Sequence, residues 1–527
     1  MIFNKKNKDM KLVDKDVGFV EDAWEFIKHA VGDESHCFGS YVSTGDINYL
    51  YELEKARKLR TEVMDILSKE VVAQNWCFAP ETKIVCDGNM KDIKDIKIGD
   101  NVLTHKNRFR KVLSVSKRKI TDTICLLKTN YSNIEIKVTG GHLFYVANNL
   151  REPQKKSWKK NYKKPRFVWK KVEELNRNDF LYLPRYNIEK SIDELDIIYK
   201  NKKKYTNFSD SLNIKLTNNI MKLIGLYIAE GHHCEGENSK QSKYPGWKNQ
   251  YVGFSFGKKE RELAKFVIDV FKEEFDYITK PLYRESTIEF NIGKRVICKF
   301  FSQFSNNANS KKIPPWVINL PKEKLIHLVK GMIEGDGCLL KNRVTYSTVS
   351  KELAYQLRLI LMKLGILSSI KNYGRCKSSY INGREIISRY DRYNLTISGD
   401  AGRELSKLID LPYDCGKKTS GNFGYVGYDY FLIPIINIKK LDYKGEVYNL
   451  EVEEDNSYCT FQGVAHNCRI KHLAGKSMTA QELCTRYLSV GDEAMAKKLA
   501  DYQKELYLSY LKILGFTEKN IKCPTLA

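Results

Sequence analysis

No stretch of the 527 residues approaches the roughly 18 consecutive apolar side chains that a membrane-spanning helix needs. The opening MIFNKKNKDM is polar and lysine-rich, and no apolar run follows it, so it does not read as a secretory signal. The expected location is cytoplasmic. Cysteine is present but unpatterned: thirteen residues, an odd number, with no repeating C-x-x-C spacing. That argues against a disulfide framework and a structural zinc site, and fits a reducing compartment with one or two reactive thiols. Acidic residues are in short supply, 64 against 89 Lys and Arg. The excess of +25 is not spread evenly. Residues 1–76 carry 11 basic and 14 acidic residues, and residues 468–527 carry 10 and 6, so nearly all of the excess lies between them. A basic surplus of that size points to a polyanion partner, most often nucleic acid. At 42% hydrophobic and 29% charged, the chain suits several soluble globular domains rather than disorder.

The organisation changes twice along the chain. From Asp46 to Trp76 there is no Gly or Pro, and Leu50, Leu53, Leu59, Val63, Ile66 and Leu67 recur at helical spacing. The last 60 residues also read as helical, with a capping box at Thr479 and Glu482 and a stop at Gly515. At Cys77 short β-type runs with turn signals begin, such as Lys83-Ile84-Val85-Cys86 before Asp87-Gly88. Residues 151–171 hold 10 Lys or Arg interleaved with Trp158, Tyr162, Phe167 and Trp169, which suits contact with a phosphate backbone or a solvated loop.

An internal repeat occupies residues 223–410. Its first copy reads LIGLYIAEG (223–231), GFSF (253–256), a helix through Glu262-Leu263-Ala264, then TIEFNI (287–292). The second reads VKGMIEGDG (329–337), TYST (345–348), a helix through Glu352-Leu353-Ala354, then YNLTIS (393–398). Each nonapeptide predicts a helix with a central glycine, Gly225 or Gly331, ending in an acid and a glycine. A mid-helix Gly costs about 1 kcal/mol relative to Ala. Two helices crossing closely would account for it, and would bring the acids Glu230 and Asp336 together. Paired carboxylates repel unless a cation lies between them, and Mg²⁺ takes such ligands together with water and phosphate oxygens.

The nonapeptides resemble the LAGLIDADG signature of homing endonucleases. That resemblance implies paired sheets forming a saddle in the DNA major groove, with Glu230 and Asp336 as metal ligands for Mg²⁺-dependent cleavage of double-stranded DNA. Glu230 stands where Asp is commoner. The family also has basic residues near the metals, and Lys312, Lys417 and Lys418 are the candidates.

The surrounding segments resemble inteins. CFAPETKIVCDGNMKDIKDIKIGDNVL (77–103) is similar to their opening block, and VTGGHLFYV (138–146) to the second, with Thr139 and His142 in T-x-x-H spacing. WKKVEELNRNDFLYLP (169–184) looks like the segment that follows, and VYNLEVEEDNSYCTFQGVAHNC (447–468) is similar to the closing block. The resemblance implies that Cys77 attacks the Trp76 carbonyl, helped by His142 and Thr139. Cys468 then takes the acyl group, and Asn467 cyclises with help from His466. No cofactor is needed for splicing. Asn449 stands where the family commonly has Asp, and Asn456 where it often has His.

The expected architecture is therefore multidomain. An all-β Hint splicing domain (77–214 and 413–467, with the basic insert 151–171) is split by an α+β pseudo-two-fold LAGLIDADG endonuclease domain (215–412). Mainly α-helical host segments, 1–76 and 468–527, flank it. The expected activities are autocatalytic splicing that joins Trp76 to Cys468, and site-specific cleavage of the intein-less host gene. A splicing element with a decayed nuclease and a DNA-binding protein that never splices are the alternatives. The joined flanks are expected to form a small helical protein that reads most simply as an interaction module, with Cys468 and His472 at i, i+4 on one helix face.

Overall fold

The structure, a computed structural model, describes residues 77–148, 165–203, 206–237, 248–305, 307–375, 379–381, 384–411, 425–427 and 429–467. The chain divides into residues 75–468 and a second unit made of 1–74 and 469–527, and every described residue belongs to the first. Trp76, Cys468, His472, Lys417, Lys418, residues 151–164 and both flanks lie outside the described residues.

A twelve-stranded sheet is built from residues 83–184 and 425–466. Two long strands, Phe109–Thr129 and Tyr430–Val452, pair antiparallel, with Lys119 opposite Glu446 and Ile124 opposite Leu441. Register slips at Ile435/Asn437 and Glu451/Val452 let the longer strand bend. Beyond the first slip it leaves its partner and pairs instead with Phe180–Pro184, all five of whose residues are buried. Strands buried on both faces lose the polar–apolar alternation of a half-exposed strand.

The α+β segment between the two parts of the sheet contains both sequence repeats. Each runs helix, strands, helix, strands, helix: Asn218–Glu230 to Arg295–Ser302 in the first copy, and Lys322–Asp336 to Asp400–Leu408 in the second. Each copy has one four-stranded antiparallel sheet. The leading helix Asn218–Glu230 buries Leu223, Ile224, Leu226, Tyr227 and Ile228, a nearly all-round apolar surface that marks a central helix. Thr217 caps it by accepting the Ile220 N–H. Among the described residues no helix is long and apolar enough to cross a membrane.

The two parts share an extensive contact. The turn Asp87-Gly88-Asn89 of the large sheet meets residues 313–319 of the repeat segment. A Cβ at Gly88, whose φ is +67°, would fall 2.7 Å from the Pro315 carbonyl oxygen, so only glycine fits there. Asn319 Nδ2 donates to Asp87 Oδ1 at 2.7 Å, and the Gly88 N–H donates to the Tyr186 hydroxyl at 3.0 Å. Buried Lys363 donates to the carbonyls of Ile188 (2.6 Å), Leu320 (2.6 Å) and Ile318 (3.3 Å). Burial pushes its pKa down to about 8. A third contact joins the turn after Thr129 to the second repeat: Ser132 bridges Ile370 in parallel, and Asn133 and Asn372 exchange hydrogen bonds of 2.7 and 2.8 Å.

Candidate active sites

The paired acids follow from helix packing. A Cβ on Gly225 would lie 2.2 Å from the Leu328 carbonyl oxygen, and one on Gly331 would lie 2.2 Å from that of Lys222. The helices Asn218–Glu230 and Lys322–Asp336 therefore meet backbone to backbone at the two glycines. At their C-terminal ends a Cβ on Gly335 would lie 3.5 Å from Glu230 Cγ, which places the Glu230 side chain against the end of the other helix. Both helices pass straight into strands through Gly231 and Gly337, which are in ordinary extended conformations. Glycine is needed there for space: the returning chain lies on the last helical turn, where a Cβ would meet Tyr227 Cδ2 and the Ile333 carbonyl oxygen.

The electrostatics of this site are unusual. Burial, then Asp336, then Glu260 push the Glu230 pKa up to about 7. Burial pushes Asp336 up to about 6, against the pull of Lys311 and the neighbouring Tyr346 hydroxyl. The counter-charge is Lys311, whose Nζ donates to the carbonyls of Tyr227 (2.6 Å) and Gly231 (2.5 Å) and lies 4.5 Å from the Tyr227 ring centre. Its own burial lowers its pKa to about 8. Lys312, the neighbour singled out in the sequence, is exposed, and its N–H donates to the Phe304 carbonyl. The basic residue at the acids is therefore Lys311. Glu260, which caps a turn by accepting the Gly257 N–H at 2.7 Å, was also missed; only its place just before the second helix of the repeat could have suggested it.

The donors fit a hard divalent cation. Two carboxylates, Glu230 and Asp336, are held where their negative forms repel. Mg²⁺ is commonly bound by one or two carboxylates completed by water and substrate phosphates.

The second candidate site lies where residues 77 and 467 enter the large sheet. Phe78 bridges both Tyr448 and Val138, and Ala465 pairs with Phe144. The Cys77 N–H donates to Thr139 Oγ1 at 2.8 Å, and the Thr139 N–H donates to the Cys77 carbonyl at 3.0 Å. Fully buried His142 packs on the Phe78 ring, with ring centres 4.4 Å apart. Burial raises the pKa of the Cys77 thiol, and the Arg118 guanidinium opposes that rise. Arg118 lies in a lysine-rich run that nothing in the sequence distinguished.

At the other end, His466 Nδ1 is 2.8 Å from the Asn467 carbonyl oxygen, and its ring stands edge-on to Trp169. The buried Asn467 carboxamide has a hydrogen-bonding orientation in which its nitrogen donates to the Asn456 carbonyl (2.8 Å) and its oxygen accepts the Val452 N–H (3.1 Å). Asn456 has φ +50°, which Asn tolerates better than most residues, and its carbonyl also accepts the Asn467 N–H at 2.9 Å. Asn449 is buried and neutral, its Oδ1 accepting from the Leu450 N–H (2.7 Å) and the Tyr458 hydroxyl (2.6 Å).

Residues 323–396, in the second repeat, match the family model of a LAGLIDADG-like domain. A curated relative, an uncharacterized protein of Methanocaldococcus jannaschii, is 28% identical over 419 residues, covering 74% of this chain and 50% of the relative. The ATP-dependent DNA helicase Hel308 of Thermococcus kodakarensis is 26% identical over 422 residues, 72% of this chain and 35% of that protein. An iron–sulfur cluster assembly SufBD family protein of Mycobacterium bovis is 24% identical over 401 residues, 74% and 42% respectively. The chain spans about half the length, or less, of these relatives. Among solved structures, variants of the homing endonuclease I-DmoI align with 37% of this chain and 96% of theirs, at 14% identity and a TM-score of 0.27.

Proposed function

We propose that residues 77–467 are a self-excising insert of the intein type, with an all-β Hint splicing domain that carries a DNA-cleaving endonuclease. The observation that carries the splicing reading is that both end peptides are held by the residues the chemistry requires. Thr139 accepts from the Cys77 nitrogen, which is the leaving nitrogen, and His466 is at the Asn467 carbonyl, which is the group under attack. The lengths of the similar segments agree with this reading. Matches of about 400 residues, close to the span 77–467, occur within proteins named as a helicase and as an iron–sulfur assembly protein. One insert in unrelated hosts accounts for that pattern.

The Cys77 thiol adds to the Trp76 carbonyl carbon and gives up its proton, the C–N bond breaks, and the freed Cys77 nitrogen takes up one proton, with His142 as the donor that the thiol proton replenishes. The Cys468 thiol displaces Cys77 Sγ from the thioester. Asn467 Nδ2 then attacks its own carbonyl carbon and forms a cyclic imide, which releases the Cys468 amine. That amine attacks the thioester and leaves the Trp76–Cys468 peptide. His466 Nδ1, when protonated, donates to the Asn467 carbonyl oxygen as charge develops there.

In the nuclease, Glu230 and Asp336 would hold Mg²⁺. When bound, that ion supplies an activated water and stabilises the leaving oxygen of the phosphodiester. Lys311 fixes the junction between helix and strand at Gly231 and offsets the acids' charge. Intact mass spectrometry of the expressed chain tests the whole reading. Species of 391 and 136 residues are expected after incubation near neutral pH, and persistence of the 527-residue chain alone would refute splicing.

A further inference from the structure

The two repeat sheets are not equivalent at their outer edges. Among the described strands, the first sheet ends at Leu282–Tyr283. The second ends at Ser369–Asn372, where the turn of residues 130–133 from the large sheet continues it: Ser132 bridges Ile370, the Ile370 N–H donates to the Tyr131 carbonyl at 2.9 Å, and Asn133 and Asn372 are doubly bonded. This turn and the polar face of the second sheet line one groove of about 350 Å³. Its lining includes Asn130, Tyr131, Arg343, Lys371, Asn394 and Thr396 and, among the described residues, no acidic residue. The face alternates as a half-buried strand should: Val344 and Tyr346 point inward, while Arg343, Thr345 and Ser347 are at least partly exposed.

We propose that the turn Asn130–Asn133 of the splicing half is part of the DNA-reading surface, contacting the outer end of the target half-site that lies on the second repeat. The inference rests on the nuclease reading above. Two cations, Arg343 and Lys371, in a lining without a carboxylate among the described residues complement a polyanion. Amide, hydroxyl and phenol groups beside them are the types that bond base edges and phosphates. The neighbouring strand spacing is about 4.8 Å and base pairs stack about 3.4 Å apart. One added edge therefore extends the read sequence by roughly one or two base pairs, on one side only. The pseudo-two-fold protein acquires an asymmetric footprint.

The test uses the full chain and a library of duplexes carrying the joined host coding sequence, with the base pairs on each side of the Trp76 and Cys468 codons randomised. Tyr131→Ala should weaken binding of the preferred duplex about tenfold. It should relax preference at one or two base pairs at one outer end. Asn130→Asp adds a charge at an exposed position without changing shape, and should weaken binding at the same base pairs. Splicing yield reports whether the turn still folds. If Tyr131→Ala lowers that yield, Asn130→Asp decides alone. A wild-type chain that selects and cuts duplexes, with Asn130→Asp and every correctly folded variant keeping its base profile, overturns this inference and spares the nuclease reading. A wild-type chain that selects no duplex removes both.

Discussion

Gly225→Ala isolates the geometric requirement of the acid pair. On propensity alone the change favours the helix by about 1 kcal/mol. In place, however, the new Cβ would lie 2.2 Å from the Leu328 carbonyl oxygen and 2.9 Å from Gly331 Cα, while real Cβ contacts do not go below 3.0 Å. Both obstacles are backbone and cannot swing aside. The helices must part by at least 0.8 Å, or lose about 1–3 kcal/mol to overpacking. The acids stand at the ends of those same helices, so the shift reaches them almost undiminished. A misplacement near 1 Å can cost about 100-fold in rate. Single-turnover cleavage of the intein-less host gene by Gly225→Ala should fall by about that factor, with DNA binding within a few-fold of wild type and splicing unchanged. Wild-type cleavage would refute the reasoning, because it would mean that the interhelical distance does not set the site.

Three further outcomes follow from the same geometry. Asp336→Asn should abolish Mg²⁺-dependent cleavage while DNA binding and splicing persist, all measured on one preparation by gel assay and mass spectrometry. Asn467→Ala should block C-terminal cleavage and leave a thioester that added thiol cleaves at Cys77, and Cys77→Ala should remove that thiol sensitivity; thiol-dependent release from Cys77→Ala would disprove the nucleophile. Glu230 and Asp336 are raised to about 7 and about 6, so between about pH 4.5 and 7 the folded state holds protons that the unfolded chain has released. Stability of the metal-free protein should therefore fall as pH rises through that window, and Mg²⁺ should restore it most at the upper end. Melting curves in chelator and in Mg²⁺ at pH 5.5 and 8 check this, and equal stabilisation by Mg²⁺ at both would count against the pair as ligands.

Local signals in the sequence picked out the candidate residues, although Cys468 lies outside the described residues. The spacing of Thr139 and His142, the two nonapeptides and the His466-Asn467-Cys468 run each lie within nine consecutive positions, and Asp87-Gly88 announced a turn that has φ +67° at Gly88. What the sequence concealed depends on approach between distant segments. Of Lys311 and Lys312 the first is buried and the second exposed, and only the packing of this stretch against Tyr227 and Gly231 decides which. Arg118 comes near Cys77 because its strand pairs with the one that also bridges Phe78. The seating of Asp87-Gly88-Asn89 on Pro315 and Asn319 joins positions more than 200 residues apart, with no periodicity to reveal it.

The three carbonyls gathered by Lys363 have a consequence for the thermodynamics of recognition. Ile188 lies on the segment leading out of the large sheet, whereas Ile318 and Leu320 belong to the repeat segment, so one ammonium ties the two together during folding. If such parts were joined by a loose tether, each encounter with a long ligand would have to freeze their relative motion, at a cost deducted from affinity. Here that ordering entropy has already been spent when the chain folds. Association loses rigid-body freedom and local side-chain motion, but not a hinge. Binding should then show a heat-capacity change set by the contact area alone, without the larger signature of coupled ordering.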